Sequence, residues 1–252
     1  QKLPLYVSYG LTEMASQVAT TGALNHRGVS LKTRVLRYRK LCIAKDGEIL
    51  VSVKTLFQGY IKKGALKPAI DKDGWFHTGD LGALVGTGLQ LVSRKDRVFK
   101  MLNAEKVIPT AIENRLAGMN PYIRHVIVTG SGRDFLAAVV YPDFYRIGEE
   151  FGDNTPEAER VVKASLRETM LTFNREHPVG YERIQAFVVV SRELSVENRE
   201  LTPSLKVRVG AVIENAEPYL EAVYEPDEAC DCRFLRKVMR LTPDNRRCFV
   251  GS

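Results

Sequence analysis

One stretch of the chain carries most of the information about its fold: Gly-Trp-Phe-His-Thr-Gly-Asp-Leu-Gly, residues 74–82. Within it, Asp80 stands between glycines. A carboxylate in this setting can accept two hydrogen bonds from the neighbouring hydroxyls of a ribose, because glycine permits a close approach to the backbone. The same aspartate can instead serve only to form a turn. We expect Trp75 and Phe76 to pack inside the protein, and His77 to be a surface or hydrogen-bonded histidine.

A second motif, Tyr-Gly-Leu-Thr-Glu-Met at residues 9–14, follows a strand-like run near the start of the chain. Its residue types suit a nucleotide site, since they offer a ring for a base, a glycine for close approach, a hydroxyl for a phosphate and a carboxylate for Mg²⁺. A helix that begins with a Thr-Glu cap has the same composition without any ligand. Taken alone, this motif therefore leaves both interpretations open.

A third motif, Leu-Thr-Pro-Ser-Leu-Lys-Val-Arg at residues 201–208, places Lys206 in a turn-rich segment. A lysine on such a turn can reach an acyl phosphate, or it can be an ordinary solvated charge.

The order and spacing of these motifs change their meaning. Together with Arg-Lys-Asp at residues 94–96, they resemble the adenylate-forming (AMP-binding) superfamily of acyl-CoA synthetases, luciferases and peptide-synthetase adenylation domains. The resemblance covers roughly residues 5–224. The form Leu-Thr-Pro-Ser-Leu-Lys is similar to the long-chain acyl-CoA synthetases.

The resemblance implies a role for each residue of the first motif. Tyr9 would stack on adenine, and Gly10 would allow the nucleotide to approach the backbone. Thr12 would contact the α-phosphate, and Glu13 would hold Mg²⁺.

It also implies roles further along the chain. Asp80 would bind the ribose hydroxyls with the help of Arg94. Asp96 would be the hinge about which a small domain rotates. Lys206 would be the catalytic residue that bridges the substrate carboxylate and the α-phosphate.

The function implied is ATP-dependent activation of a carboxylic acid, most simply a fatty acid, to an acyl-adenylate, followed by transfer to a thiol such as CoA. ATP or AMP, Mg²⁺ and CoA are the expected ligands. Asn103 and Ala104 stand where the family usually has a glycine pair, so the phosphopantetheine of a carrier protein is an alternative acceptor. No Ser/Thr/Gly-rich phosphate-binding loop precedes Tyr9. We therefore expect a C-terminal fragment that is inactive alone, with a non-catalytic binding or regulatory domain as the remaining alternative.

The expected fold class is α+β. Residues 1–95 would be the β-rich C-terminal part of the large AMP-binding domain, residues 96–225 the small mobile domain, and residues 226–252 a basic tail. The patterns predict a hairpin about Asp46-Gly47, a loop-rich segment at 67–80 and a turn at 130–134. They predict strands at 89–93, 125–129, 135–140 and 184–190. They also predict helices at 109–118, 156–176 and 206–224, the last kinked by Pro218.

Composition narrows the function less than the motifs do. The net charge of +7 suits ATP and CoA, and charge alone fits nucleic acid or an anionic membrane surface equally well. The resemblance favours no nucleic-acid partner and a cytoplasmic enzyme, and no apolar run is long enough to predict a transmembrane segment. Cys230 and Cys232 are too closely spaced for a usual zinc site, so we expect free thiols.

Overall fold

The structure is a computed structural model that describes residues 6–21, 33–86, 88–152, 156–224, 237–241 and 248–249. The chain divides into two compact units, Gln1–Arg97 and Val98–Ser252. The α+β class predicted from the sequence is confirmed. Cys230, Cys232 and most of the predicted tail lie outside the described residues.

The first unit is built from antiparallel strands. In its described residues these strands are β1 (Ser8–Leu11), β2 (Ser16–Thr20), β3 (Thr33–Val35), β4 (Lys40–Ile43), β5 (Glu48–Ser52), β6 (Gly59–Lys62), β7 (Ala65–Pro68), β8 (Phe76–Val85) and β9 (Gly88–Arg94). Seven of them form one sheet in the order β1-β2-β3-β9-β8-β5-β4, and β6 pairs with β7 as a separate hairpin. The sheet buries a small apolar cluster that includes Met14, Val18, Ile49, Val51 and Leu89.

The predicted hairpin about Asp46-Gly47 forms between β4 and β5. Of the two predicted turn residues, only Gly47 takes a positive φ (+87°). The Gly47 N–H donates to the carbonyl of Ala44 at 2.9 Å, which closes a four-residue turn. A four-residue turn places the demand for positive φ on its last residue alone.

The segment predicted to be loop-rich is partly a strand. β8 begins at Phe76 and runs for ten residues between β5 and β9. Phe76, Thr78 and Asp80 are buried while His77 is exposed, as expected for alternate residues of a sheet. The glycines of this stretch obscured that alternation.

The second unit begins with the short strands β10 (Phe99–Lys100) and β11 (Lys106–Val107). It continues with α1 (Pro109–Met119), β12 (Ile123–Thr129), β13 (Leu136–Pro142), α2 (Phe144–Phe151), α3 (Pro156–Glu176), β14 (Ile184–Val190), α4 (Val209–Tyr224), β15 (Lys237–Leu241) and β16 (Cys248–Phe249). The main sheet has the order β12-β13-β14-β15-β16, with β13, β14 and β15 parallel.

Helices cover both faces of this sheet. Residues of α1, α2 and α3 pack against one face, with Leu166, Met170 and Phe173 fully buried. Residues of α4 pack against the other face, where Val212 is fully buried. Every residue of β13 is buried, which is the pattern of a strand covered on both sides.

The helix predicted over residues 156–176 is confirmed with the same ends. Two other helix predictions were wrong in detail. Gly118 does not cap α1, which runs on to Met119 and ends at Asn120 in an extended conformation. The last helix begins at Val209, and Pro218 lies inside it without dividing it.

Helix α2 was not predicted from the sequence. It is short, and it begins where the carboxylate of Asp143 accepts a hydrogen bond from the backbone N–H of Arg146 at 3.1 Å. Gly152 follows its last turn with φ +72°. These are the usual signals of a helix start and stop.

Candidate functional site

Three residues predicted to bind the nucleotide meet in the first unit. The Tyr9 hydroxyl donates to Oδ2 of Asp80 at 2.7 Å, across 71 residues of sequence. Nη1 of Arg94 donates to Oδ1 of the same carboxylate at 3.2 Å. Asp80 and Arg94 are register partners on β8 and β9, and Tyr9 lies on β1. The sheet therefore brings a ring, a carboxylate and a guanidinium together.

The position of Asp80 is fixed by its own strand. Its backbone N–H donates to Oγ1 of Thr78 at 3.1 Å, and that hydroxyl donates to the carbonyl of Ile49 at 2.7 Å. Gly79 takes φ +72°, a conformation that a side chain would strain. This explains why a glycine stands directly before the aspartate.

Burial and charge set the protonation of this group. Burial raises the pKa of Tyr9, and the hydrogen bond to Asp80 raises it further, so the phenol stays a neutral donor. Burial alone would lower the pKa of Arg94, but the hydrogen bond to Asp96 and the charge of Asp80 raise it overall. Tyr9 is only 7% exposed, so its ring packs in the core of the unit and its hydroxyl is directed at Asp80. Its predicted role in stacking on adenine stays a prediction.

The residues at 10–13 lie next to this group in the chain. A Cβ on Gly10 would lie 2.6 Å from the carbonyl oxygen of Ser16, so no side chain fits there. Thr12 and Glu13 form a single 3-10 turn with Met14, and Thr12 is exposed. Oε1 of Glu13 accepts a hydrogen bond from the Tyr60 hydroxyl at 2.8 Å.

The predicted Mg²⁺ role of Glu13 can be compared with the chemistry of that ion. Across the described residues, no three His, Cys, Asp or Glu side chains cluster closely enough to hold a metal. Mg²⁺ is usually held by one or two carboxylates together with substrate phosphates and water. A single partly buried carboxylate such as Glu13 fits that mode, and its role stays a prediction.

A second polar cluster beside Asp80 was missed by the sequence analysis. The buried carboxylate of Glu48 accepts from the Gly79 N–H at 2.9 Å and from Lys95 Nζ at 2.9 Å. It also lies 3.1 Å from Nδ1 of His77. Glu48 therefore joins the glycine before Asp80 to the lysine after Arg94, and no spacing rule predicts that contact.

Asp96, the predicted hinge, lies in a 3-10 turn, Lys95–Arg97, at the end of the first unit. Its side chain is 69% exposed and pairs with Nε of Arg94 at 3.5 Å. The chain divides into its two units one residue after this turn.

Lys206 lies in the second unit, exposed, in the turn-rich segment that the motif predicted. It is not part of the last helix, which was predicted to begin at residue 206 and begins at Val209. The Thr202 N–H donates to the Lys206 carbonyl at 2.8 Å, and the Lys206 N–H donates to Thr202 Oγ1 at 3.0 Å. Leu205 completes the turn with φ +59°. Within the described residues, Lys206 forms no ion pair, so its ammonium group is presented to solvent.

Two residues that stand where the family pattern has glycine keep a glycine-like backbone. Ala104 takes φ +66° and Leu205 takes φ +59°. Both values lie in the left-handed region, which costs a residue with a side chain about 1–2 kcal/mol. Both turns therefore have a backbone conformation that glycine adopts without strain, although neither position carries a glycine.

A family model matches the part of the chain that forms the second unit, and known proteins match most of the chain. Residues 96–228 match the family described as AMP-binding enzyme C-terminal domain. The chain is 26% identical to long-chain-fatty-acid–CoA ligase 5 of Rattus norvegicus over 244 residues, which cover 89% of this chain and 36% of that protein. It is 31% identical to long-chain-fatty-acid–CoA ligase 6 of Homo sapiens over 189 residues, which cover 71% of this chain and 27% of that protein. The chain thus spans about a third of the length of these relatives.

Solved structures give the same fold. The adenylation domain of carboxylic acid reductase from Segniliparus rugosus, in complex with AMP and a carboxylic acid, is 25% identical with a TM-score of 0.60, covering 76% of this chain and 32% of that one. The O-succinylbenzoate–CoA synthetase of Bacillus subtilis in complex with AMP is 20% identical with a TM-score of 0.60, covering 82% and 40%. In the described part of the chain, no helix has both the length and the apolar character needed to cross a bilayer. The family resemblance seen in the four motifs is confirmed, and the chain belongs to the AMP-binding, adenylate-forming enzymes.

Proposed function

We propose that these residues serve an enzyme that uses ATP to convert a carboxylic acid, in the first place a fatty acid, into an acyl-adenylate and then transfers the acyl group to CoA. The observation that carries the proposal is the meeting of Tyr9, Asp80 and Arg94 on three strands of one sheet. The fatty-acid–CoA ligases among the relatives support the choice of substrate and acceptor.

Asp80 is proposed to bind the ribose. Each carboxylate oxygen can accept more than one hydrogen bond, so the bonds from Tyr9 and Arg94 leave acceptor positions for two hydroxyls. Arg94 donates to one oxygen of the carboxylate and Tyr9 donates to the other, and together they fix its orientation. Gly10 and Thr12 are proposed to lie along the nucleotide beyond the ribose, Gly10 because no side chain fits there and Thr12 because its hydroxyl is exposed.

Lys206 is proposed to act on the first half-reaction. A carboxylate that attacks the α-phosphate of ATP brings two anions together, and pyrophosphate leaves as the new acyl–phosphate bond forms. A cation held where negative charge accumulates lowers that barrier, typically by a few kcal/mol. An exposed lysine that directly follows a turn is suited to enter a site that another domain completes.

Mg²⁺, held by Glu13 and the phosphates, would supply further positive charge at the leaving pyrophosphate. Asp96 is proposed to be the hinge that withdraws Lys206 before the thiol attacks the acyl-adenylate. Its exposed position near the end of the first unit suits a residue that changes its backbone angles.

The test measures pyrophosphate exchange into ATP by the enzyme that contains these residues, in the presence of single carboxylic acids. We expect saturated long-chain fatty acids to support exchange, and aromatic acids and amino acids to support much less. The matched negative control is the same assay without an added carboxylic acid. Exchange that does not depend on a carboxylic acid would refute the proposal.

A second acceptor is favoured by one observation. Asn103 and Ala104 are exposed in a tight turn where the family pattern has a glycine pair, and their side chains would narrow the path of a free CoA that passes this turn. The alternative acceptor is a carrier protein that delivers phosphopantetheine. Acyl transfer to CoA, to a carrier with its phosphopantetheine, and to the same carrier without it distinguishes the two acceptors.

A further inference from the structure

The segment that carries Lys206 is a small hairpin with a buried carboxylate at its base. Leu201 and Val207 pair as an antiparallel bridge, and the Arg208 N–H donates to the carbonyl of Glu200 at 2.7 Å. The turn that presents Lys206 lies beyond that bridge. The orientation of the tip therefore depends on how residues 200–208 are fixed to the rest of the unit.

Glu200 makes that connection. Its side chain has no exposed surface, and its two oxygens accept hydrogen bonds from four other residues. These are Arg192 (Nη1 at 2.6 Å and Nη2 at 2.7 Å), Tyr141 (hydroxyl at 3.0 Å), Asn215 (Nδ2 at 3.2 Å) and the backbone N–H of Ser195 at 3.4 Å.

The donors belong to different parts of the fold. Tyr141 lies on β13, Arg192 follows β14, Ser195 lies in the connecting loop and Asn215 lies on α4. One carboxylate thus ties the Lys206 hairpin to the sheet and to the helix that covers it. Burial alone would raise the pKa of Glu200, but the hydrogen bonds from Arg192, Asn215 and Tyr141 lower it overall, so the group is ionised.

Stability alone is a weak reason for this arrangement. Buried ion pairs are often no more stabilising than apolar residues of the same volume, because desolvation offsets the attraction between the charges. What the pair does supply is a fixed geometry, since a guanidinium binds a carboxylate through two parallel hydrogen bonds. The bidentate contact with Arg192 sets the direction in which the backbone leaves Glu200 towards the turn.

We propose that Glu200 is a positioning residue for Lys206: its network with Arg192, Tyr141 and Asn215 holds the hairpin so that the lysine, which directly follows the turn, is presented to solvent in a fixed direction. The inference rests on the proposed function of Lys206 and adds a residue to which the motifs assign no role. Glu200 itself touches no reacting atom.

The decisive experiment compares the two half-reactions in the enzyme that contains these residues. Glu200→Gln keeps the shape of the side chain and removes its charge. We expect acid-dependent pyrophosphate exchange to fall about 10²-fold in kcat, the order expected for an ångström-scale displacement of a reacting group, while KM for ATP changes less than about twofold. Thioester formation from supplied acyl-adenylate and CoA does not use Lys206 and is expected to stay within about twofold.

A matched control separates positioning from loss of folding. Asn120 is 2% exposed and bonds to Ser165 and Thr169 in the same unit, away from the hairpin. Asn120→Ala is expected to lower thermal stability without changing the ratio of the two half-reactions. If Glu200→Gln lowers both half-reactions equally, as a general loss of folded protein would, the proposal is overturned.

Two further measurements distinguish a failure of the Glu200 inference from a failure of the proposed function. In the double variant Glu200→Gln with Lys206→Ala, exchange should be no lower than in Lys206→Ala alone, because both changes remove the same contribution; a further loss would overturn the proposal. In the 252-residue chain, hydrogen exchange of the Leu205 and Lys206 amides should become about tenfold faster on Glu200→Gln, and unchanged rates would overturn it independently of any activity. If Lys206→Ala itself retains exchange, the proposed role of Lys206 fails, whatever the amides show.

Discussion

In the first unit, Asp80 is held between Tyr9 and Arg94 by side chains from neighbouring strands, whereas in the second unit Lys206 stands on a turn with no ion pair among the described residues. The first arrangement fixes the proposed ribose-binding group by direct contacts. The second leaves the proposed catalytic lysine without an ion-pair partner in the described part of the chain, and we propose that Glu200 fixes the backbone that carries it. A group that must bind one ligand throughout can be pre-paired, but a cation that must enter and leave a site has to remain unpaired.

The largest expected effect is on the rate of pyrophosphate exchange when Lys206, a cation without an ion pair in the ranges described, is replaced. Lys206→Ala should lower acid-dependent pyrophosphate exchange by about 10²–10³-fold, because a positioned charge that stabilises the transition state is removed. Lys163, which is paired with Glu159 on α3, provides a matched control as Lys163→Ala. Exchange that survives in the Lys206 variant would remove the contrast between the two units.

The next effect tests the pre-paired group. Asp80→Asn should destabilise the first unit by about 1–3 kcal/mol, because the buried carboxylate loses its charge-assisted bond to Arg94. Urea denaturation followed by the fluorescence of Trp75, the single tryptophan of the chain, measures this change. Tyr9→Phe removes one hydrogen bond only and should cost about 1 kcal/mol. Equal losses for the two variants would contradict the central place of Asp80.

A smaller effect of opposite sign tests the backbone of the second unit. Ala104→Gly should stabilise it by about 1 kcal/mol, because glycine adopts the left-handed conformation at φ +66° without steric conflict. The control is Ala164→Gly in the exposed face of α3, which should destabilise by about the same amount. Thermal unfolding of both variants measures the difference, and destabilisation by Ala104→Gly would show that the turn is not strained.

The smallest effect is a pH dependence confined to the first unit. The hydrogen bond to Glu48 raises the pKa of His77, partial burial opposes the shift, and Asp71 adds to it. The stabilisation is therefore complete below the unfolded value near 6.5 and is lost as the pH rises through the higher folded value. Because the His77 side chain is 52% exposed, the change should amount to only about 0.3 kcal/mol.

Unfolding midpoints between pH 5 and 9 measure this slope. His77→Gln should flatten it in the first unit. His125 is the control. Burial and the neighbouring Arg124 lower its pKa, so its contribution to stability increases as the pH rises, opposite to that of His77. A slope that survives in His77→Gln would assign the pH dependence to another group.

The predictability of each region follows from the range of its interactions. The helix over residues 156–176 was predicted to its ends, because its apolar period, Pro156 in the first turn and Arg175 in the last turn are all local signals. The turn at 130–134 was predicted from its glycines for the same reason. The family resemblance gave Tyr9, Asp80 and Arg94 as nucleotide-binding residues, but it did not predict the hydrogen bond between Tyr9 and Asp80, which spans 71 residues.

The features that the sequence did not predict depend on contacts between residues that are far apart in the chain, and no local pattern indicates such contacts. Glu48 and Lys95 meet near Gly79 only because β5, β8 and β9 are neighbours in the sheet. Glu200 is one glutamate in a polar stretch, and only the approach of Arg192 and Tyr141 shows that it is buried. The segment that includes β8 was predicted to be loop-rich, because its glycines are typical of loops and the alternation of buried and exposed residues is short.

The parallel pairing of β13 with β14 also bears on how the molecule is made. β13 leaves the ribosome before α2, α3 and β14, yet β14 is its neighbour in the sheet and α4 covers one of its faces. Until those later segments emerge, a nascent strand in which every residue is destined for the interior remains uncovered, and such intermediates aggregate readily. Synthesis of the second unit should therefore pass through a stage that depends on chaperones, which ends only when α4 has been translated.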